Sequence, residues 1–331
     1  MEQKTPVCAR DHALDNLRFV LIFLVVFAHL LEVCTPFWKS TLLYQIIYTF
    51  HMPAFLFLFG YHAKFSLKKI LFRWCLPYLV FQSLYLLFAR IVLHAAEPIR
   101  YQRPYWLLWY LVVGIFYQLL LPLYDTPSKR RQVLALLGTF VLSLLVGFVD
   151  SVGYQLSLSR FFVYQPWFLL GYYCKKNHML ETISQKRTLR LVLLVLSGTV
   201  VLLSVPFLLI SKLPNGLLYG SYSYARCGGA LWMRAALFVI AVAWVLLLFV
   251  GLKQCWNKQI PCITTCGQNT LSVFLLHGFL VKAISAFLPN LLRFPWQVLL
   301  LSCAILLLTG NKIMNKIVSL IGGLWLERVN S

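Results

Sequence analysis

Acidic side chains are scarce in this chain. Nine Asp and Glu stand against 30 Lys and Arg among 331 residues, and charged residues of all four types make up only 12%. A soluble domain carries roughly 25%. With 60% of the residues hydrophobic, too little polar surface remains to cover a globule, so the solvent for most of the chain must be lipid. In hydrocarbon every backbone amide must be satisfied internally, which leaves helices or a closed barrel. The short alternating segments of a barrel are missing. The apolar runs, such as Phe19 to Leu31, Leu191 to Ile210 and Ala235 to Val250, are long and unalternated. The expected fold is therefore an all-α integral membrane bundle.

Paired cysteines are lacking too. The nine Cys are odd in number and scattered, and the densest group, Cys255, Cys262 and Cys266, has no CxxC spacing of a zinc site. Free thiols and no metal are expected. The net charge of +21 would suit nucleic acid if it were massed on one soluble face. Here the basic residues are spread through short loops between apolar runs, as in cytoplasmic loops of membrane proteins, so no nucleic-acid partner is expected. The first apolar run has no small-residue cleavage site and reads as a retained span rather than a signal peptide.

A helix needs about 20 residues to cross a bilayer core. On that basis about ten spans are predicted, near 17–36, 41–63, 70–95, 105–124, 132–149, 160–174, 191–211, 232–251, 268–288 and 296–310, forming one membrane domain over 1–331 with no soluble domain. Loop charge sets orientation. One side holds 19 Lys and Arg, including Lys4, Arg10, Lys64, Lys68, Lys253 and Arg328; the other holds eight, Lys39, Arg100, Arg103, Arg160, Lys212, Arg226, Arg234 and Arg293. Both termini are predicted to be cytoplasmic, with lipid as the surrounding partner. The segment from Lys212 to Met233, rich in Gly, Ser and Tyr, reads equally as a cap over an outward cavity or as a plain surface loop.

Ionisable groups inside spans are costly and are functional candidates by default. The first span gathers Asp15, Arg18, His29 and Glu32. The eleven steps from Arg18 to His29 come to roughly 1,100°, about 20° off three full turns, so the two share a face about 16 Å apart along the axis. Such a stripe is expected to look into one cleft within the bundle. Arg18 at the inner mouth suits phosphate or carboxylate, or is a snorkelling interfacial residue. His29, past the midplane, suits proton transfer, or makes an interhelical hydrogen bond. Glu32, one turn on, orients the imidazole or is an interfacial carboxylate.

Three further clusters carry candidates. In FHMPAFLFLFGY, from Phe50, Pro53 is expected to break the helix beside His51. In LKKILFRWCLPY, Lys69 and Arg73 are four apart and face one way, toward an anionic ligand or merely toward the cytoplasm. In CGQNTLSVFLLH, Asn269, Ser272 and His277 form a polar seam.

These blocks resemble the acyltransferase-3 membrane acyltransferases. LDNLR followed by His29, with ten residues between Arg18 and His29, is similar to their first-helix signature. FHMPAFLFLFG is similar to their second-helix motif and the stretch ending at Arg73 and Pro77 to their next cytoplasmic motif. YWLLWYL (Tyr105 to Leu111), SRFFVYQPWFLLGYY (Ser159 to Tyr173) and GQNTLSVFLLH (Gly267 to His277) follow in family order. The chain most resembles the fucose 4-O-acetylase-like branch. The resemblance implies acetyl-CoA or another acyl-CoA as cytoplasmic donor, a hydroxyl of an envelope sugar or polysaccharide as acceptor, and a bacterial inner membrane. It implies that Arg18 and His29 are essential.

On this reading Arg18, Lys69 and Arg73 hold the donor phosphates, His29 acts as base with Glu32 beside it, and His51, Arg160, Asn269 and His277 are candidate acceptor contacts. A homo-oligomer is compatible with the sequence. A transporter of an amino acid or of an envelope glycan precursor is the rival class, since a polar stripe beside interrupted helices also suits a translocation path.

Overall fold

The computed structural model describes residues 11–32, 38–211, 213–252, 256–288 and 291–323. Lys4, Cys8, Arg10, Cys34, Lys212, Lys253, Cys255 and Arg328 lie outside the described residues, as does the side chain of Lys39.

Among the described residues every regular element is helical. The main helices are α1 (His12–Leu31), α2 (Trp38–Tyr61), α3 (Leu67–Ile91), α4 (Trp106–Tyr124), α5 (Lys129–Phe148) and α6 (Leu158–Lys176). A short α7 (Met179–Gln185) leads into α8 (Arg187–Ser211). Two single turns, α9 (Asn215–Leu218) and α10 (Tyr224–Cys227), precede α11 (Leu231–Leu252). The chain continues as α12 (Pro261–Gln268), α13 (Thr270–Phe287), α14 (Pro295–Thr309) and α15 (Lys312–Ile321).

Eight of these are long and apolar enough to cross a membrane: α1, α2, α3, α4, α5, α8, α11 and α13. The bent pair of α14 and α15, angled at 64°, makes a ninth if it is one span. The remaining predicted span, 160–174, is the 19-residue α6. It has the length but not the apolarity, because Arg160, Gln165, Lys175 and Lys176 dilute it.

Local chemistry accounts for the starts. Asp11 caps α1 by accepting from the Leu14 amide, and Ser66, Ser128 and Asn311 do the same for α3, α5 and α15, each satisfying a donor the first turn leaves orphaned. Contrary to expectation, α2 is not broken at Pro53 and runs through it. A proline costs the helix one hydrogen bond and some bending, and packed neighbours on α6 and α11 keep the flanking turns in line. In α3 the stretch Leu71–Cys75 is a π-turn, closed by the Leu76 amide on the Leu71 carbonyl, so Arg73 sits where the helix carries an extra residue.

The bundle is organised by backbone approach at three glycines. A Cβ on Gly60 of α2 would lie 1.9 Å from the Phe168 carbonyl oxygen, and one on Gly171 of α6 would lie 1.9 Å from that of Phe57. A Cβ on Gly267 of α12 would lie 1.8 Å from the Asp15 carbonyl of α1. Where lipid removes the hydrophobic drive between helices, small residues let backbones touch and dispersion hold them. The opposite case is α8, whose Leu202 and Ile210 are 73% and 79% exposed and which presents them outward as a lipid-facing helix would.

Candidate active site

The first turns of α1 are held by residues from the far end of the chain. Asp15 is buried, takes a bond from Gln268 (Nε2 to Oδ2, 3.1 Å) and pairs with Arg18 at 2.8 Å. Asn16 donates to the carbonyls of Trp256 and Lys258 at 2.9 and 3.0 Å and accepts from the Thr264 hydroxyl at 2.8 Å. Asn269 donates to the Gly310 carbonyl at 3.0 Å, and Ser272 to that of Thr309 at 2.8 Å. The LDNLR and GQN blocks thus clasp one another. Asn269 serves as a latch onto the end of α14 and does not line the main cavity.

The other end of α1 opens on a different scene. A cavity of about 950 Å³ is lined by His29, Glu32, Tyr44, Tyr48, His51, Trp106 and Arg160, together with Glu97, Arg100, Arg103, Tyr154, Tyr219 and Lys282. His29 Nδ1 faces Glu32 Oε2 at 3.7 Å and the Tyr48 hydroxyl at 3.4 Å. Glu32 Oε1 accepts from the hydroxyls of Tyr44 and Tyr48 at 2.7 and 2.8 Å. With Tyr48's proton committed to the carboxylate, its oxygen is left to accept from His29 Nδ1–H. That tautomer leaves the Nε2 lone pair as the free base. Two phenols fix the carboxylate, and one of them, Tyr48, receives the imidazole Nδ1–H with the carboxylate 3.7 Å away.

Two more histidines converge here. His51 and His277 are fully buried, and each bonds through Nδ1 to the carbonyl four residues back, Ile47 or Val273, at 2.8 Å. A carbonyl only accepts, so Nδ1 carries the proton and Nε2 is an acceptor. His277 stacks on His29 with ring centres 5.6 Å apart, and its Nε2 has no partner among the described residues. His29 also meets Trp106, ring centres 4.5 Å apart. Trp106 has φ +38°, a strained backbone of the kind that concentrates at functional sites.

Of the sequence-predicted residues, His29, Glu32, His51 and Arg160 meet in this cavity and His277 backs it. Arg18, Lys69 and Arg73 do not line it. Arg18 and His29 stand near opposite ends of α1, about 16 Å apart along its axis, and the Arg18 guanidinium pairs with Asp15, one turn toward the N-terminus. Since α2 returns antiparallel to α1, its end and the start of α3 lie beside Arg18. There His62 is within electrostatic reach of Arg18 and Lys175, and Glu181 accepts from the Tyr61 hydroxyl and pairs with Lys175. Lys69 and Arg73 are exposed at this end.

The family model described as an acyltransferase domain matches residues 11–310, nine-tenths of the chain. The chain belongs to the acyltransferase-3 family. Its apolar helices and its family together make it a membrane acyltransferase. Among curated proteins and among solved structures nothing matches. The matched region begins at the cap of α1 and ends at Gly310, the acceptor of the Asn269 latch, so both sides of the clasp fall inside the acyltransferase domain. Reading the sequence missed Tyr44 and Tyr48, although with His51 they stand at i, i+4 and i+7 on one helical face. It also missed Trp106, Tyr154, Tyr219 and Lys282 as site residues, which come from separate segments with no shared period.

Proposed function

We propose that this acyltransferase moves an acetyl or other acyl group from cytoplasmic acyl-CoA to a hydroxyl of an envelope sugar or polysaccharide. It would do so in a bacterial inner membrane with both termini cytoplasmic, in the manner of the fucose 4-O-acetylase-like branch. One observation carries the reading: an imidazole set against Tyr48 and a doubly tyrosine-bonded carboxylate, with its second nitrogen left for a substrate in a large cavity. That arrangement suits general-base activation of a hydroxyl.

The donor's nucleotide phosphates cannot enter hydrocarbon cheaply. Arg18, Lys69 and Arg73, at the end opposite the cavity, are suited to hold them as charge-assisted partners. The flexible arm then needs to span about 16 Å along α1 to bring its thioester to His29. Tyr110, within electrostatic reach of Arg18, packs against Phe274, which in turn faces His277, and these rings would flank such an arm. His29 Nε2 removes the hydroxyl proton as the oxygen attacks the thioester carbonyl. Collapse of the tetrahedral adduct forms the ester, breaks the C–S bond and returns the proton to the departing thiolate. The neutral acceptor nitrogens of His51 and His277 suit the donor groups of an incoming hydroxyl or amide.

Labelled acetyl-CoA incubated with purified protein and a sugar acceptor should release label to the sugar; no label movement under any acceptor, as a transporter would give, refutes the reading. Within that assay Arg18→Gln is expected to raise KM for the donor about tenfold with a smaller effect on the acceptor. Glu32→Gln should lower kcat about a hundredfold and leave both KM values near wild type. Glu32→Asp should recover part of the loss. A KM-only effect of Glu32→Gln would remove the carboxylate from its positioning role.

A further inference from the structure

In the lining of the cavity two guanidiniums lie against one phenol ring. Arg103 Cζ is 5.1 Å and Arg160 Cζ 5.2 Å from the centre of Tyr154, and Arg160 also stands 4.9 Å over Trp109. Among the described residues neither has a carboxylate within ion-pair distance. Arg160 bonds through Nε to the Tyr219 carbonyl at 3.1 Å, which leaves its terminal nitrogens available. Like charges gathered without a carboxylate partner repel one another.

Yet the pair is built, not loose. Gln82, fully buried, donates to the carbonyls of Arg100 and Arg103 at 3.0 and 3.2 Å and accepts from the Tyr105 amide at 2.8 Å. The Leu156 amide donates to the Gln102 carbonyl at 2.6 Å, tying the Arg103 loop to the start of α6. Leu156 and Ser157 take φ of +48° and +54°, a strained turn immediately ahead of Arg160. A scaffold that converges two cations beside a strained turn, with no carboxylate among the described residues within ion-pair distance of either, is preorganised for an external anion.

We propose that Arg103 and Arg160 form an oxyanion subsite that binds a carboxylate or phosphate carried by the sugar acceptor, so that the preferred acceptor is an anionic saccharide. This rests on the acyl-transfer reading for the identity of the ligand. The subsite is continuous with the reaction centre. Tyr219, whose carbonyl holds Arg160, shares a 2.8 Å hydroxyl contact with Tyr44, and Tyr44 bonds Glu32 beside His29. Lys282, 4.7 Å over the Trp106 ring, adds a further positive charge to the cavity lining. The rings of Trp106, Trp109 and Tyr154 lie directly against these charges, and aromatic surface beside cations suits a sugar ring with an ionised substituent. Donor phosphates have their own basic group at the opposite end, around Arg18 and Lys69.

The test is binding to the whole protein in zwitterionic nanodiscs, with glucuronate, glucose 6-phosphate and glucose as probes and thermal melting as readout. The two anionic sugars should stabilise the protein at concentrations where glucose does not. Arg103→Gln and Arg160→Gln should each weaken them about thirtyfold, whereas Lys69→Gln should not. Arg103 is exposed, so its variant keeps the fold even if the Arg160 variant does not. Equal stabilisation by glucose, or a loss in Lys69→Gln but not in Arg103→Gln, overturns the proposal. So does displacement of the sugars by phosphatidylglycerol in the disc, which would assign the subsite to a lipid headgroup. Because the readout is binding, absence of transfer to every acceptor would defeat the acyl-transfer reading while leaving the subsite itself testable.

Discussion

His29→Ala should lower acyl transfer by about a thousandfold while the protein keeps its helical content and its melting behaviour. The second half follows from the geometry. The His29 side chain is 13% exposed and faces a cavity, so its removal enlarges a space that already exists instead of opening a void in a packed core. Glu32 keeps both of its tyrosine donors, and no buried carboxylate is orphaned. The first half follows from chemistry, since no other imidazole at the site has the same support. His51 and His277 are each fastened to a carbonyl and fully buried, with no carboxylate behind them. His29→Gln is the sharper companion, because an amide still reaches toward Glu32 but cannot take a proton. Wild-type turnover in either variant, with circular dichroism and melting unchanged, would remove His29 from the chemistry.

Gly171→Val is expected to be the most damaging change to the fold. The backbones of α2 and α6 touch where Gly60 meets Phe168 and Gly171 meets Phe57, and in both cases a Cβ would stand 1.9 Å from a carbonyl oxygen. Main chain on both sides means no flexible side-chain end can give way, so the helices must separate. Overpacking of a tight core costs about 1–3 kcal/mol and more where the backbone must move, and we expect the upper end or beyond. Gly138 and Gly198, with nothing within 4 Å of a built Cβ, are the controls. Alanine there should be neutral or should stabilise by up to about 1 kcal/mol through helix propensity. Melting curves in one detergent decide it, and equal behaviour of Gly171→Val and Gly198→Ala would show that the α2–α6 contact is not the keystone.

That same contact separates two kinds of information. Helix period alone put Arg18 and His29 on one face of α1, and the spacing of apolar runs placed the predicted spans within a few residues of the helices. Both are local consequences of hydrogen-bonded backbone in lipid. Helix period could not say that Arg18 would pair with Asp15, because the direction of a long side chain is set by the partner it finds. Nor could local rules mark Asn269 as a latch on Gly310, since the acceptor lies 41 residues further along.

The amino-acid sequence therefore determined on its own the all-helical membrane class, the approximate positions of the helices and His29 as a candidate for the site. These follow from composition and from a 3.6-residue repeat, which act within a few turns of chain. Only the tertiary structure decided what surrounds that histidine: the tyrosines of α2, Trp106 on its strained turn, and Arg103 and Arg160 against one ring. Those residues come from segments far apart in the chain, and hydrogen bonds and ring contacts that pay no heed to sequence distance bring them together.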